Sequence, residues 1–168
     1  AQEHLNYLEQ NGLFVTRIGE GQQTLYLCHP VLRELLCQDL HQRSPERFVT
    51  LHQRAAELMR ANNDYKKAVH HALEASADDI AARLIIDSEE QMLSQGHTET
   101  LVHWIDRLPA ITTARYPRLL LIRANIYLIV GDHTGALALL DAVSEAIVNR
   151  PTMVDAEDDI LLQIERTI

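Results

Sequence analysis

Residues 124–143 read ANIYLIVGDHTGALALLDAV, and residues 56–75 read AELMRANNDYKKAVHHALEA. Set one over the other, Ala124 falls on Ala56, Gly131 on Asn63, Ala136 on Ala68 and Val143 on Ala75. Small residues recur where two helices must approach closely. The Gly131-Asp132 and Asn62-Asn63-Asp64 steps stop one helix and start the next. Antiparallel helix pairs joined by short turns and stacked as a solenoid are the architecture this predicts.

Composition agrees. Of 168 residues 46% are hydrophobic but only 5% aromatic, with 6 Gly and 5 Pro, so the apolar mass is Ala, Leu, Ile and Val. These residues pack helix on helix, which makes the chain mainly α. Ser44-Pro45 reads as an N-cap with proline at the first helical position, opening a helix with Phe48, Leu51, Ala55, Leu58 and Met59 on its apolar side. Tyr65–Ala75 follows, then Asp78–Gln95 capped by Ser76 and ended by Gly96. Thr98–Leu108 stops at Pro109, Tyr116-Pro117 opens a helix to Val130, and His133–Asn149 runs up to Pro151. Asp155–Ile168 reads as one more helix.

Upstream the pattern changes. Leu5 and Leu8 share a helical face that Asn11-Gly12 ends. Leu13–Ile18 and Thr24–Cys28 are β-prone runs around Gly19-Glu20-Gly21-Gln22-Gln23, which reads as a hairpin. Pro30 opens a helix to about Gln42 with Val31, Leu32, Leu35, Leu36 and Leu40 as its stripe. Helix, hairpin, helix is the order of a winged helix. The expected division is therefore residues 1–42, the C-terminal part of a winged-helix domain, and 43–168, a helical linker and repeat arm.

The array is similar to the tetratricopeptide (TPR) pattern. Ala124, Tyr127, Gly131 and Ala136 hold its small, aromatic, glycine and alanine positions, while Arg123 stands where that family prefers an apolar residue. One fair repeat and one weak one are visible, so the TPR-like solenoid is expected to be irregular.

The net charge of −9 repels phosphate backbones. Residues 1–75 hold 9 acidic and 8 basic residues, and 76–168 hold 15 and 7, so the helical array carries most of the excess. No phosphate-binding loop is present, because the glycines are scattered and the lysines, Lys66 and Lys67, stand apart from them. No G-x-S-x-G elbow or H-E-x-x-H helix occurs, so no catalytic residues are expected and the chain is not read as an enzyme. Among the histidines, His70 and His71 are adjacent and point about 100° apart on a helix, which suits no shared metal, and none is expected. Cys28 and Cys37 match no zinc or redox spacing and read as reduced thiols of a cytoplasmic protein. Leu119–Val130 is interrupted by Arg123 and Asn125 and falls short of the roughly 20 residues of a membrane span. The chain opens at Ala1 with no methionine or signal segment and is read as a piece of something longer.

Two residues of the array invite a second reading. Trp104 lies in the stripe of Leu101, Trp104, Ile105 and Leu108 and serves either the core or a ligand. Arg123 in an apolar helix must pair with an acidic neighbour or face a groove.

The ordered series Cys28-His29-Pro30-Val31-Leu32-Arg33-Glu34-Leu35-Leu36, Ser44-Pro45-Glu46-Arg47, Leu51-His52-Gln53-Arg54-Ala55-Ala56, Ala68-Val69-His70-His71-Ala72-Leu73 and Leu101-Val102-His103-Trp104-Ile105-Asp106-Arg107-Leu108-Pro109 resembles the large ATP-dependent LuxR-type regulators. These are MalT-like bacterial transcription activators of the STAND class, and the likeness weakens from about Pro151. In that family a nucleotide-binding domain precedes the winged helix, a helical-repeat sensor arm follows, and a C-terminal helix-turn-helix binds DNA. The resemblance therefore implies a regulatory segment without a cofactor of its own. ATP or ADP would sit in a nucleotide-binding domain outside the chain, and DNA would be met through a helix-turn-helix outside it.

Its partners would be that nucleotide domain, downstream repeats, and a small-molecule inducer or an inhibitory protein. Related STAND proteins place the His of a Met-His-Asp motif against the phosphates of ADP. His29, flanked here by Cys28 and Pro30, is the corresponding position, and capping of the next helix is its alternative role. Trp104, Arg123 and Tyr127 are the candidates for inducer or partner contact on the arm. A plain TPR-like interaction scaffold without a switch is the alternative function. DNA binding by the winged helix is not expected, since its first helix carries Glu3 and Glu9 without Lys or Arg, and its hairpin only Arg17.

Overall fold

The computed structural model describes residues 2–19 and 25–148, which divide between Thr50 and Leu51 into two compact units. In the first, α1 (Gln2–Gln10) leads into a hairpin of β1 (Val15–Ile18) and β2 (Leu25–Cys28), followed by α2 (Pro30–Arg43). The strands pair antiparallel from Val15 opposite Cys28 to Ile18 opposite Leu25. β1 is shorter than the β-prone run from Leu13 because Phe14 takes φ 57°, a left-handed turn conformation. Its carbonyl accepts from the His29 N–H at 2.8 Å, closing the base of the hairpin. The Tyr26 hydroxyl donates to the side-chain carbonyl of Asn6, tying β2 to α1. Val15 is buried, whereas Leu27, Val31, Leu35 and Leu36 are exposed, and α2 buries no residue within its unit.

α3 (Pro45–Ala61) contains the division, and the second unit continues with α4 (Tyr65–Glu74), α5 (Asp78–Ser94), α6 (Thr98–Asp106), α7 (Ala110–Arg115), α8 (Pro117–Val130) and α9 (His133–Val148). The solenoid pattern is present three times. Asn63, Gly96 and Gly131 each take positive φ, at 57°, 73° and 84°. One residue later the backbone reaches back in the same way each time. Asp64 donates to the Met59 carbonyl at 2.9 Å, His97 to Met92 at 2.9 Å, and Asp132 to Tyr127 at 2.8 Å. These bonds satisfy carbonyls that a helix end would otherwise leave open. Asp64 and Asp132 also cap the following helices by accepting from the N–H groups of Lys67 and Gly135.

The buried positions follow the same count. Ala68, Leu101 and Ala136 correspond, as do Ala75, Leu108 and Val143, and all six are buried. The pairs are therefore α3–α4, α5–α6 and α8–α9. The middle one escapes a search for small residues because Glu89 stands where the flanking pairs have Ala56 and Ala124. Fully buried Ile85, Leu101, Ile105, Leu119 and Ile122 belong to a core shared by the first two pairs and α8, each worth about 1.5–3 kcal/mol in removal from water, while Leu121 and Ala124 of α8 form a second cluster with Leu140 and Val143 of α9.

Two local expectations change. Ser76 does not cap α5: it takes φ 50° and closes α4, with Ala77 donating to the Ala72 carbonyl at 3.0 Å, and Ala77 holds the N-cap position without a side-chain bond. The stretch from Pro109 to Tyr116 is not a plain connection, because Pro109 starts the short helix α7. The helix expected at Asp155–Ile168 lies outside the described residues.

Candidate functional site

His29 sits between β2 and Pro30, the first residue of α2. A helix opened by proline lacks one N–H to satisfy, and the His29 Nδ1 accepts from the next, Val31 N–H, at 3.3 Å. Accepting there places the ring proton on Nε2, the nitrogen left to donate outward. The ring is exposed and meets Phe14 edge-on at 5.9 Å. The same residue thus caps a helix and presents a donor at the strand-to-helix junction.

On the arm, the structure joins Arg123 and Tyr127, one turn apart on α8. The Arg123 guanidinium donates to the Tyr127 hydroxyl at 3.3 Å and, through Nη1, to Asp106 Oδ1 of α6 at 2.7 Å. Burial opposes the charge, but the hydrogen bond to Tyr127 and the Asp106 carboxylate outweigh it and hold the Arg123 pKa above its ordinary value. Arg123 thus has an acidic partner and remains partly open to solvent. Tyr127 lies over Gly135 of α9, where an added Cβ would stand 2.7 Å from its ring. Trp104 is elsewhere: its side chain is 7% exposed and belongs to the core with Leu101, Ile105 and Leu108.

A groove of about 370 Å³ forms where α7 approaches the start of α5, lined by Gln53, Ser76, Asp79, Ile80, Ile111 and Arg115 among others. Arg115 donates to both carboxylate oxygens of Asp79, at 2.7 and 2.9 Å, bracing one wall. Ile111 is 71% exposed. Sequence reading missed this groove because it follows from α7. It also missed the pair of Glu89 and Arg118, held at 2.8 Å between α5 and α8; an acidic residue amid Ile85, Ser88 and Met92 was the available signal.

Among the described residues no group of three or more His, Cys, Asp or Glu side chains could hold a metal ion. No described helix is long and apolar enough to cross a membrane.

Residues 1–48 match the family model of the MalT winged helix domain. The HTH-type transcriptional regulator MalT of Vibrio parahaemolyticus is 28% identical over 117 residues, covering 70% of this chain and 13% of that protein. MalT of Serratia proteamaculans is 24% identical over 155 residues, covering 92% and 17%. The serine/threonine-protein kinase PknK of Mycobacterium tuberculosis is 28% identical over 163 residues, covering 94% and 15%. The chain thus spans well under a fifth of these relatives. No solved structure matches. The chain thus opens with a stretch that matches the MalT winged helix domain, and it is similar to MalT regulators and to PknK into the helical arm.

Proposed function

We propose that this segment couples effector or partner binding on the helical arm to a nucleotide switch outside the chain, and so regulates a transcription activator. The observation that supports it is the direct joining of a MalT-type winged helix to three helix pairs built on one turn geometry. In this reading the segment is not catalytic. The winged helix meets its own nucleotide-binding domain, where ATP or ADP is held and the exposed Nε2 of His29 donates to phosphate. The arm receives a small-molecule inducer or an inhibitory protein at the partly open Arg123–Tyr127 face, and downstream repeats extend it. DNA is met through a helix-turn-helix beyond the segment, and the protein works in the cytoplasm. A ligand operates such a switch only by binding one of its states better than the other.

The deciding experiment is His29→Ala in the full-length activator. Transcription without inducer supports the switch, and unchanged basal activity counts against it. For the receiving face, thermal unfolding of this chain is followed by Trp104 emission across a metabolite library. A saturable rise supports sensing here, and abolition of that rise by Arg123→Gln places it at the proposed face.

The likeness to PknK favours a second reading. A segment matching both a transcriptional regulator and a kinase over most of its length is suited to a role independent of either output, such as a TPR-like scaffold for a protein partner. In that case His29→Ala leaves basal transcription unchanged while a partner is still retained by the arm.

A further inference from the structure

In the first helix pair, His52 of α3 and His71 of α4 bring their Nδ1 atoms within 3.3 Å, the rings meeting edge-on with centroids 5.0 Å apart. Two imidazole nitrogens at that distance share a hydrogen bond only if one carries a proton and the other a lone pair. A second proton removes the acceptor and sets two cations side by side. From this geometry we infer that the His52–His71 contact is an acid-sensitive clasp on the first helix pair, closed while at least one ring is neutral and opened when both are charged.

The surroundings reinforce the direction. His70, the preceding residue of α4, has its ring centroid 5.4 Å from that of His71, and its charge opposes that of His52. Glu74, one turn on, is the carboxylate that acts on His52. Arg107 of α6 engages it at 3.2 Å, so its charge is already partly spent. Burial keeps the His52 pKa below its ordinary 6.5, prevailing over the Glu74 carboxylate and a hydrogen bond to the His71 backbone, which raise it, while the charge of His70 lowers it further. A base whose folded pKa is depressed contributes stability above its unfolded pKa and loses it as pH falls through the folded one. The clasp is therefore closed near neutrality and weakens below about pH 6.5. No other helix pair has such a contact among the described residues, so the effect is local.

Amide hydrogen exchange of the 168-residue chain at pH 7.5 and 5.5, corrected for intrinsic rates, tests this. Protection of Ala68, Val69 and Ala72 is expected to fall more than that of Ala124 and Ala136. The excess should vanish in the His52→Gln/His71→Gln double variant and shrink in His70→Gln. Equal loss in both helix pairs, or an excess that persists in the double variant, overturns the inference. Should the double variant fail to fold, the comparison within the unaltered chain and His70→Gln still decides.

Discussion

The ring of Tyr127 occupies the space that a side chain at residue 135 would need: a Cβ there would lie 2.7 Å from Cδ2 and 2.9 Å from Cε2. Gly135 is thus required by its neighbour rather than by its backbone. The same Cβ would press on Asp132, 2.5 Å away, whose carboxylate caps α9. Alanine in a helix normally gains about 1 kcal/mol over glycine. Overpacking costs about 1–3 kcal/mol, so Gly135→Ala should be neutral at best and destabilising by up to about 2 kcal/mol. Urea titration would measure it, and a clear gain would show that the ring moves aside freely.

Gly131 presents the opposite case. Nothing lies within 4 Å of its would-be Cβ, but its φ of 84° is left-handed. Gly131→Ala should cost about 1–2 kcal/mol through the backbone alone, with a similar loss at Gly96. Asn63, in the same place at φ 57°, should gain a few tenths of a kcal/mol or more as Asn63→Gly. Midpoints of thermal unfolding for the three variants would test the shared geometry in one experiment.

Removing either member of the Glu89–Arg118 pair should not have equal effects. The Glu89 side chain is 10% exposed and that of Arg118 is 32% exposed. Arg118→Ala leaves a carboxylate in the core and should cost about 3 kcal/mol. Glu89→Ala restores the alanine that the flanking pairs carry and leaves an arginine able to reach water. Its loss should be less than half as large. Chemical denaturation of both variants at pH 7.5 distinguishes them.

Asp106→Asn should weaken the hold on Arg123 while keeping its bond to Tyr127, at a cost of about 1 kcal/mol, because both charges are partly exposed. If Arg123 serves an anionic effector, the same change should strengthen that effector's thermal shift. A weaker shift would count against a direct contact.

The helix ends were the most legible part of the sequence, since Pro45, Asp64, Gly96, Pro117 and Gly131 act through local backbone chemistry that reads the same in any fold. The middle helix pair was not legible. Its evidence lay in Gly96, Leu101 and Leu108 holding the places of Asn63, Ala68 and Ala75, and Glu89 concealed the alignment because a charge fits a small-residue position only when a tertiary partner reaches it. Ser76 misled for a related reason: a serine before two aspartates reads as a cap, but its left-handed backbone closes the preceding helix instead. At the candidate site the sequence posed the question of Arg123 correctly and left its answer to Asp106, which stands on another helix. The capping role of His29 was legible from its place before Pro30.

Stacked helix pairs face a particular hazard, since units built alike can dock in the wrong partnership or slide by a turn and still bury hydrocarbon. Ala56 and Ala124, or Ala68 and Ala136, offer little to tell one unit from another. Glu89 does, because it finds Arg118 at a single alignment of α5 against α8. Slippage would strand a carboxylate among Ile85, Met92 and Ile122 at a cost of several kcal/mol. The one charge that spoils the similarity of the middle unit therefore also proofreads the assembly.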